Sequence, residues 1–137
     1  MAHWLVKTEP STYSYEDLAK QGRAVWDGVA NAVALKNLRS MAPGDDVLVY
    51  HTGDVKAAVG LARVVSAPYP DPKAKDAKLT VVDLEAVRAL ARPVTLAEVK
   101  ADPVFADFVL VRQGRLSVMP IEPRAFARIL ALGKTRL

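Results

Sequence analysis

Near its start the chain carries the segment Trp4-Leu5-Val6-Lys7-Thr8-Glu9-Pro10, and a second segment follows as Val25-Trp26-Asp27-Gly28-Val29-Ala30-Asn31. Residues 3–7 alternate as a short strand does, and Glu9-Pro10 ends it because proline disfavours helix in the residue before it. Both tryptophans of the protein lie in these segments, and the polar residues beside them are Lys7, Glu9, Asp27 and Asn31. An indole has a large apolar face and one N–H that needs a partner when buried. The two segments fit the wall of a pocket, and the alternative is that both indoles are core residues.

Length and composition are typical of one globular domain. The 137 residues are 51% hydrophobic and 25% charged, and a chain of this length buries roughly two-thirds of its unfolded surface. No internal repeat or linker divides it, so residues 1–137 are expected to form a single domain. The first residues lack the features of a signal peptide, and no apolar run approaches the roughly 20 residues that span a bilayer. We therefore expect a cytoplasmic protein without a membrane partner.

Helix signals mark four segments of the chain. Two of them are capping boxes, in which a hydroxyl and a carboxylate three residues apart satisfy free N–H groups at a helix start. These pairs are Ser14 with Asp17 and Thr95 with Glu98. The predicted helices cover residues 15–20, 31–41, 95–102 and 123–132.

Strands fill much of the remaining chain. A nearly continuous apolar run predicts a buried strand over residues 46–52, and alternation or turn signals predict others over 57–66, 79–87 and 116–119. Residues 67–78 contain three prolines and are expected to form an exposed loop. Strands and helices do not alternate one for one, which indicates an α+β fold. We expect a small curved β-barrel with helices against its ends.

Several kinds of chemistry lack the residues they need. The chain has no cysteine, which excludes a disulfide, a thiol nucleophile and a thiolate metal site. Its two histidines, His3 and His51, lack a partner at metal-binding spacing, so neither a metal nor another cofactor is expected. No glycine-rich phosphate loop and no G-x-S-x-G nucleophile turn occurs. Glu9 and Asp27 form one candidate pair of carboxylates, which hydrogen bonding explains more readily than acid–base catalysis does.

The aromatic residues are sorted by type along the chain. All six tryptophan and tyrosine residues precede residue 70, and all three phenylalanines follow it. Tryptophan and tyrosine can stack on a nucleobase, and one stacked base is worth about 1–3 kcal/mol. Hydrogen-bond donors accompany them at Lys7, Asn31, His51 and Arg112. This composition favours a pocket for one flat, polar heterocycle.

Positive charge is concentrated in the last quarter of the chain. Residues 1–107 carry 13 Lys and Arg against 14 Asp and Glu, whereas residues 108–137 carry 6 against 1. A basic surface of this kind can hold phosphates. The alternative is a solvated helix face followed by a charged tail.

Four ordered motifs resemble those of the EVE domain family. They are Trp4–Pro10, Trp26–Asn31, Val49-Tyr50-His51-Thr52 and Arg112–Pro120. The resemblance implies that residues 1–137 are one EVE domain with a PUA-like α+β fold, a small curved β-barrel with peripheral helices related to the YTH domains that read methylated adenine in RNA. It also implies a non-enzymatic module whose pocket receives a modified base from DNA or RNA. Eukaryotic members of the family are linked to modified cytosine.

The resemblance implies roles for the matching residues. Trp4 or Trp26 would stack on the base. The edge of the base would bond to Thr8, Asp27, Asn31 and Ser117, and phosphates would lie against Lys7, Arg112 and Arg115. The other residues expected in the site are Glu9, Gly28, Tyr50, His51 and Met119. None of these residues is assigned to catalysis or to a metal.

The chain departs from the family pattern where the pocket is expected. Ala30 and Leu35 stand where the family usually has arginine, Ala32 replaces a tyrosine, and Gly114 replaces a serine. Each lost phosphate contact weakens binding to nucleic acid and reduces its dependence on salt. The expected partner is accordingly a nucleic acid or a nucleotide that carries a modified base.

Two other functions stay open at this point. One is a small hydrolase or transferase that acts on a modified nucleotide with Glu9, Asp27 and His51, which requires a base within about 3 Å of a reacting atom. The other is an interaction protein whose pocket is vestigial. The sequence assigns no oligomeric state.

Overall fold

A mixed sheet of seven strands forms the centre of the protein in this computed structural model, which describes residues 2–76 and 78–137. The strands are β1 (His3–Thr8), β2 (Arg23–Trp26), β3 (Asp46–His51), β4 (Ala57–Val64), β5 (Tyr69–Pro70), β6 (Thr80–Thr95) and β7 (Val118–Ile121). The helices are α1 (Tyr15–Gln21), α2 (Ala32–Arg39), α3 (Leu96–Ala101), α4 (Val109–Arg112) and α5 (Pro123–Leu132), with a 3₁₀ turn at Pro103–Phe105. Hydrogen-bonded neighbours follow the order β2-β6-β4-β3-β1-β7, and β5 pairs with β6.

Strand β1 joins the two parts of the sheet. It runs parallel to β3, with Leu5 opposite Leu48, and antiparallel to β7, with Leu5 opposite Met119. Leu5 and Val6 are completely buried; because successive side chains point to opposite faces, both faces of the sheet are covered at β1. A parallel pair needs a long crossover connection, and here α1, β2 and α2 supply it. That crossover brings the second tryptophan segment back beside the end of β1.

The sheet is curved, but it is not a closed barrel. Register shifts interrupt the pairing of β3 with β4 at Val49/Tyr50 and of β4 with β6 at Ala58/Gly60, and such irregularities bend a sheet. In the described part of the chain, the path of paired strands ends at β2 on one side and at β7 on the other. The outer side of β7 is covered where the Asn37 amide donates to the carbonyl of Val118 at 2.7 Å. The expected barrel is therefore an open, strongly bent sheet.

Helix α1 is fixed to the sheet through Tyr15. The Tyr15 hydroxyl donates to the carbonyl of Leu61 at 2.6 Å, and its main-chain N–H donates to His51 Nε2 at 3.0 Å. The ring lies over Gly60 so closely that a Cβ at that position would come within 2.3 Å of it. The glycine is required here for space, since its backbone angle is not in the left-handed region.

The predicted helices and most strands are confirmed. Both capping boxes form, with the Ser14 and Thr95 side chains accepting from the main chain three residues later. The predicted helix at 31–41 is observed as Ala32–Arg39, with Asn31 as its cap. The closing helix begins at Pro123 and ends before Gly133, and it buries Phe126, Ile129 and Leu130 as expected.

The structure also corrects the sequence-based assignment in several places. Strand β2, helix α4 and the 3₁₀ turn were not predicted, and β7 lies two residues later than the expected strand. Strand β6 continues to Thr95, well past residue 87, because its second half pairs with β4 from Ala57 to Leu61. Within the expected loop 67–78, Tyr69–Pro70 pairs with β6, and residue 77 lies outside the described residues. The strands among these elements depend on pairing with partners elsewhere in the sheet.

Two further properties bear on function. Over residues 2–76 and 78–137, no helix is long and apolar enough to cross a membrane. The same residues contain no group of three or more His, Asp or Glu side chains arranged to hold a metal ion.

Candidate functional site

A cavity of about 890 Å³ lies where the end of β1 meets β2 and the segment that follows it. We call it the Trp26 cavity. Seven residues of the expected site line it: Lys7, Thr8, Glu9, Trp26, Asp27, Gly28 and Ser117. The two segments that carry the tryptophans, distant in sequence, therefore form one concave surface.

Main-chain hydrogen bonds shape this cavity. The N–H of Lys7 donates to the carbonyl of Ser117 at 2.9 Å, which brings Ser117 beside the end of β1. The carbonyl of Glu9 accepts from the N–H groups of Thr12 and Tyr13, and the Thr8 hydroxyl donates to the carbonyl of Tyr13 at 2.6 Å. The segment after β1 thus turns sharply and directs Tyr13 toward the cavity.

Gly28 lies in the segment without regular structure that follows β2. Its φ of 77° lies in the left-handed region, where glycine avoids the strain that other residues suffer. A Cβ built on it would meet no atom within 4 Å, so the surface beside this residue is open. Glycine is therefore favoured at position 28 by the backbone angle and not by close packing.

The aromatic wall of the cavity consists of Trp26 and Tyr13. Their rings meet edge to face, with centroids 6.1 Å apart and an angle of 77°. Trp26 is only 6% exposed, whereas Tyr13 is half-buried. Burial, and then the nearby carboxylates of Asp17 and Asp27, raise the pKa of the Tyr13 phenol. The phenol therefore stays neutral near pH 7, and its O–H donates to the side-chain oxygen of Gln21.

Charged side chains of both signs surround the cavity. The cations are Lys7, Arg23 and Lys73, and the carboxylates are Glu9 and Asp27. The Glu9 carboxylate accepts from the main-chain N–H of Ser11 at 2.8 Å and from the Ser11 hydroxyl, and these bonds keep the pKa of Glu9 below its usual value. Asp27 is exposed. Glu9 is exposed too, but its carboxylate is held by Ser11, whereas no such contact to the Asp27 carboxylate is found among the described residues.

Seven expected site residues do not line the Trp26 cavity. Four of them are buried in the core, which corrects the expectation that both tryptophans belong to one pocket. Trp4 is buried near the other end of β1, and its indole N–H donates to Asp45 at 2.9 Å. Trp4 and Thr8 are separated by about 13 Å along the strand. Tyr50, His51 and Met119 are buried in the sheet. The alternation and pairing of the strands place these side chains in the core.

His51 has a structural contact in place of a site role. Its Nε2 accepts the N–H of Tyr15 at 3.0 Å, at the start of α1. Burial lowers the pKa of His51, while the carboxylates of Glu16 and Glu9 oppose this effect. An imidazole nitrogen that accepts a hydrogen bond carries no proton, so His51 is in its neutral form in this contact.

The remaining three expected residues line a separate groove of about 380 Å³, which we call the Arg115 groove. They are Asn31, Arg112 and Arg115. The Asn31 side chain accepts from the N–H groups of Val33 and Ala34, so it caps α2. The Arg112 guanidinium donates to the Asp107 carboxylate at 3.0 Å and to the carbonyl of Ala106 at 3.2 Å. Two of the three polar side chains are thus engaged within the fold.

Other residues of the Trp26 cavity were missed by sequence reasoning. Tyr13 is one of the six amphipathic aromatics, and its place just after the first segment was a usable signal. Arg23 and Lys73 carry no local signal, since one is in an unpredicted strand and the other is in the proline-rich loop. Folding alone brings these two cations to the cavity.

Comparisons with known proteins agree with this architecture. The model of the EVE domain family matches residues 2–132. Mouse thymocyte nuclear protein 1 is 33% identical over 168 residues, covering 97% of this chain and 74% of that protein. A Rhodopseudomonas palustris protein, known from a solution structure, is 38% identical in sequence to this chain and superposes on it with a TM-score of 0.92. The match covers 98% of this chain and 94% of that one.

A third relative is known with a ligand. Human THYN1 protein, known from a crystal structure in complex with DNA containing 5-methylcytosine, is 30% identical in sequence to this chain. The two structures superpose with a TM-score of 0.88, and the match covers both chains completely. These likenesses confirm the family resemblance and the PUA-like α+β fold.

Proposed function

This chain belongs to the EVE domain family, and we propose that it binds DNA that carries a modified base and leaves that base chemically unchanged. The observation that supports this most strongly is the Trp26 cavity, which is built from two motifs of the family and lined by polar and aromatic side chains. A relative that shares its fold, human THYN1, is known in complex with DNA containing 5-methylcytosine.

The size of the cavity suits one nucleotide. Small-ligand sites in proteins have volumes of about 300–1,000 Å³, and the Trp26 cavity measures about 890 Å³. A base must leave its stack to enter, which costs a few kcal/mol. Single strands and weakened base pairs should therefore bind more tightly than intact duplex.

The side chains of the cavity complement a base such as 5-methylcytosine. Tyr13 offers the more accessible ring, and Trp26 supports that ring from the side. An ionised carboxylate accepts hydrogen bonds, so exposed Asp27 suits the exocyclic amino group of cytosine. The Thr8 hydroxyl already donates to Tyr13, so toward a ligand it acts as an acceptor.

The rival enzyme needs a general base, and only two of its three candidate residues, Glu9 and Asp27, line the cavity. His51 does not line the cavity, and its Nε2 is occupied by the N–H of Tyr15. The Glu9 carboxylate is held by Ser11 and has a lowered pKa, which makes it a weak base. Asp27 can accept a hydrogen bond without such partners. This arrangement favours recognition over turnover.

A matched pair of valine substitutions tests the proposal. Val25 lines the cavity and Val55 does not, and each is 45% exposed. Binding of fluorescent single-stranded oligonucleotides that differ only in one 5-methylcytosine is followed by anisotropy for wild type, Val25→Glu and Val55→Glu. At physiological salt the electric field of the new carboxylate is screened beyond about 8 Å, so each substitution acts mainly on a strand bound beside it.

We expect the wild type to prefer the methylated strand, Val25→Glu to weaken its binding about tenfold or more, and Val55→Glu to stay within twofold. Equal affinity of the wild type for both strands would refute recognition of the modified base. Equal effects of the two substitutions would refute the cavity as its site.

A further inference from the structure

We infer that Arg23 and Lys73 contact the phosphates that flank the bound base, in place of the arginines that the motifs suggested. The inference rests on the proposed function and adds the path of the nucleic-acid strand. Both side chains line the Trp26 cavity together with Trp26 and Asp27. They come from strand β2 and from the loop that follows β5, which the fold brings together.

The third cation of the cavity, Lys7, is already engaged, and the arginines of the family motifs lie elsewhere. The Lys7 ammonium donates to the carbonyl of Gly114 at 2.7 Å and lies 5.6 Å from the centre of the Tyr50 ring. Burial also lowers the pKa of Lys7. Arg112 lines the Arg115 groove and not the Trp26 cavity; its pair with Asp107 is at least as exposed as that of Arg23, so location and not pairing separates the two.

Arg23 and Lys73 are much less constrained. The Arg23 guanidinium lies 3.7 Å from the Glu85 carboxylate, and both side chains are about half exposed or more, at 59% and 47%. An ion pair this exposed is worth about 0–1 kcal/mol, and a phosphate can displace it. Lys73 is exposed, and within residues 2–76 and 78–137 no carboxylate lies within salt-bridge distance of it.

The backbone that carries Lys73 is held in place although its side chain is exposed. The Asp71 carboxylate accepts the N–H of Lys73 at 2.9 Å, and the N–H of Asp71 donates to the carbonyl of Leu79 at 2.8 Å. Pairing of Tyr69 with Val81 anchors the start of the loop to β6. The lysine therefore stands on a supported turn at the edge of the cavity.

This arrangement also accounts for the departures from the family pattern. Positions 30 and 35 hold alanine and leucine where arginine is usual in the family, so this chain lacks two cations of the family pattern. Arg23 and Lys73 supply two positive charges from the side of β2. We expect the strand to cross the cavity along β2, whose outer edge is unpaired among the described strands.

The salt dependence of binding tests the inference. Each phosphate contact on a single strand contributes about 0.7 to the slope of log affinity against log salt. Anisotropy with single strands that contain cytosine or 5-methylcytosine is measured between about 50 and 200 mM salt. The variants are Arg23→Ala, Arg23→Lys, Lys73→Ala and Arg115→Ala, and Lys75→Ala, from the same loop but outside the cavity, is the control.

Arg23→Ala and Lys73→Ala should each reduce the slope by about 0.7, while Arg23→Lys and Lys75→Ala keep the wild-type slope. The ratio of affinities for methylated and unmethylated strands should stay the same in all of them. The inference would be overturned if Arg23→Ala and Lys73→Ala both kept the wild-type slope, or if only Arg115→Ala reduced the slope. A wild type without preference for 5-methylcytosine would instead refute the proposed base recognition, and the slopes would still report the phosphate contacts.

Discussion

The ammonium of Lys7 and the main-chain oxygen of Gly114, which are 107 positions apart in sequence, are joined by a 2.7 Å hydrogen bond. Lys7 lines the Trp26 cavity, and Gly114 lines the Arg115 groove. The segment before β7 has no regular structure between Gln113 and Ser117. This contact therefore fixes the wall between the two concave surfaces.

Replacing Lys7 with methionine should loosen that wall. Lys7→Met keeps the length of the side chain but removes the donor, and we expect the free energy of unfolding to fall by about 0.5–1.5 kcal/mol. Amide hydrogen exchange should become faster in residues 113–117. Urea denaturation and exchange measured by mass spectrometry check this, with Lys36→Met on the exposed face of α2 as the control. Unchanged exchange in that segment would show that the bond does not hold it.

Two glycine substitutions separate the need for space from general effects on the chain. Gly60→Ala would place a Cβ within 2.3 Å of the Tyr15 ring, and we expect a loss of about 1–3 kcal/mol in the free energy of unfolding. Gly114→Ala meets no atom within 4 Å and should change it by less than about 0.5 kcal/mol. Thermal or urea denaturation of the two variants decides the point. Equal effects would mean that Tyr15 moves aside at little cost.

The buried His51 should make the protein less stable in mild acid. Its pKa is lower in the folded protein than in the unfolded chain, so the unfolded state binds the proton first as the pH falls. Stability is therefore complete above the ordinary value of about 6.5 and declines below it, until the pH passes the lowered pKa. The slope for one such group is at most about 1.4 kcal/mol per pH unit.

His51→Gln provides the comparison, since an amide oxygen can accept the Tyr15 N–H and does not titrate in this range. The free energy of unfolding of wild type and variant is measured by urea denaturation from pH 7.5 to 5. The wild type should show the steeper decline, and equal slopes would contradict the role given to His51. The slopes are compared rather than the absolute stabilities, because the substitution also alters packing.

Asp27 distinguishes recognition from catalysis. Asp27→Asn should weaken binding of a strand that contains 5-methylcytosine about fivefold, the equivalent of about 1 kcal/mol for one hydrogen bond. Asp54→Asn, an exposed residue outside the cavity, is the control and should have no effect beyond about twofold. Mass spectrometry of the nucleosides after incubation with wild type should show the modified base intact. Conversion that Asp27→Asn abolishes would identify an enzyme instead.

Local structure could be predicted from local residues. The capping boxes at Ser14 and Thr95, and the proline and glycine that bound α5, act within one turn of the chain. Their signals therefore do not depend on the rest of the fold. The family motifs extended this to the α+β, PUA-like architecture, because they are spread over most of the chain, from Trp4 to Pro120.

Strand pairing and the burial of individual side chains could not be predicted from local residues. Strand β2 and the second half of β6 exist because each finds a distant partner across the sheet. Trp4 and Trp26 look alike in sequence, yet one donates to Asp45 in the core and the other lines the cavity. Arg23 and Lys73 meet there although no local pattern joins them. Hydrophobic burial and strand pairing act between residues far apart in the chain, so the composition of the site followed from the folded arrangement.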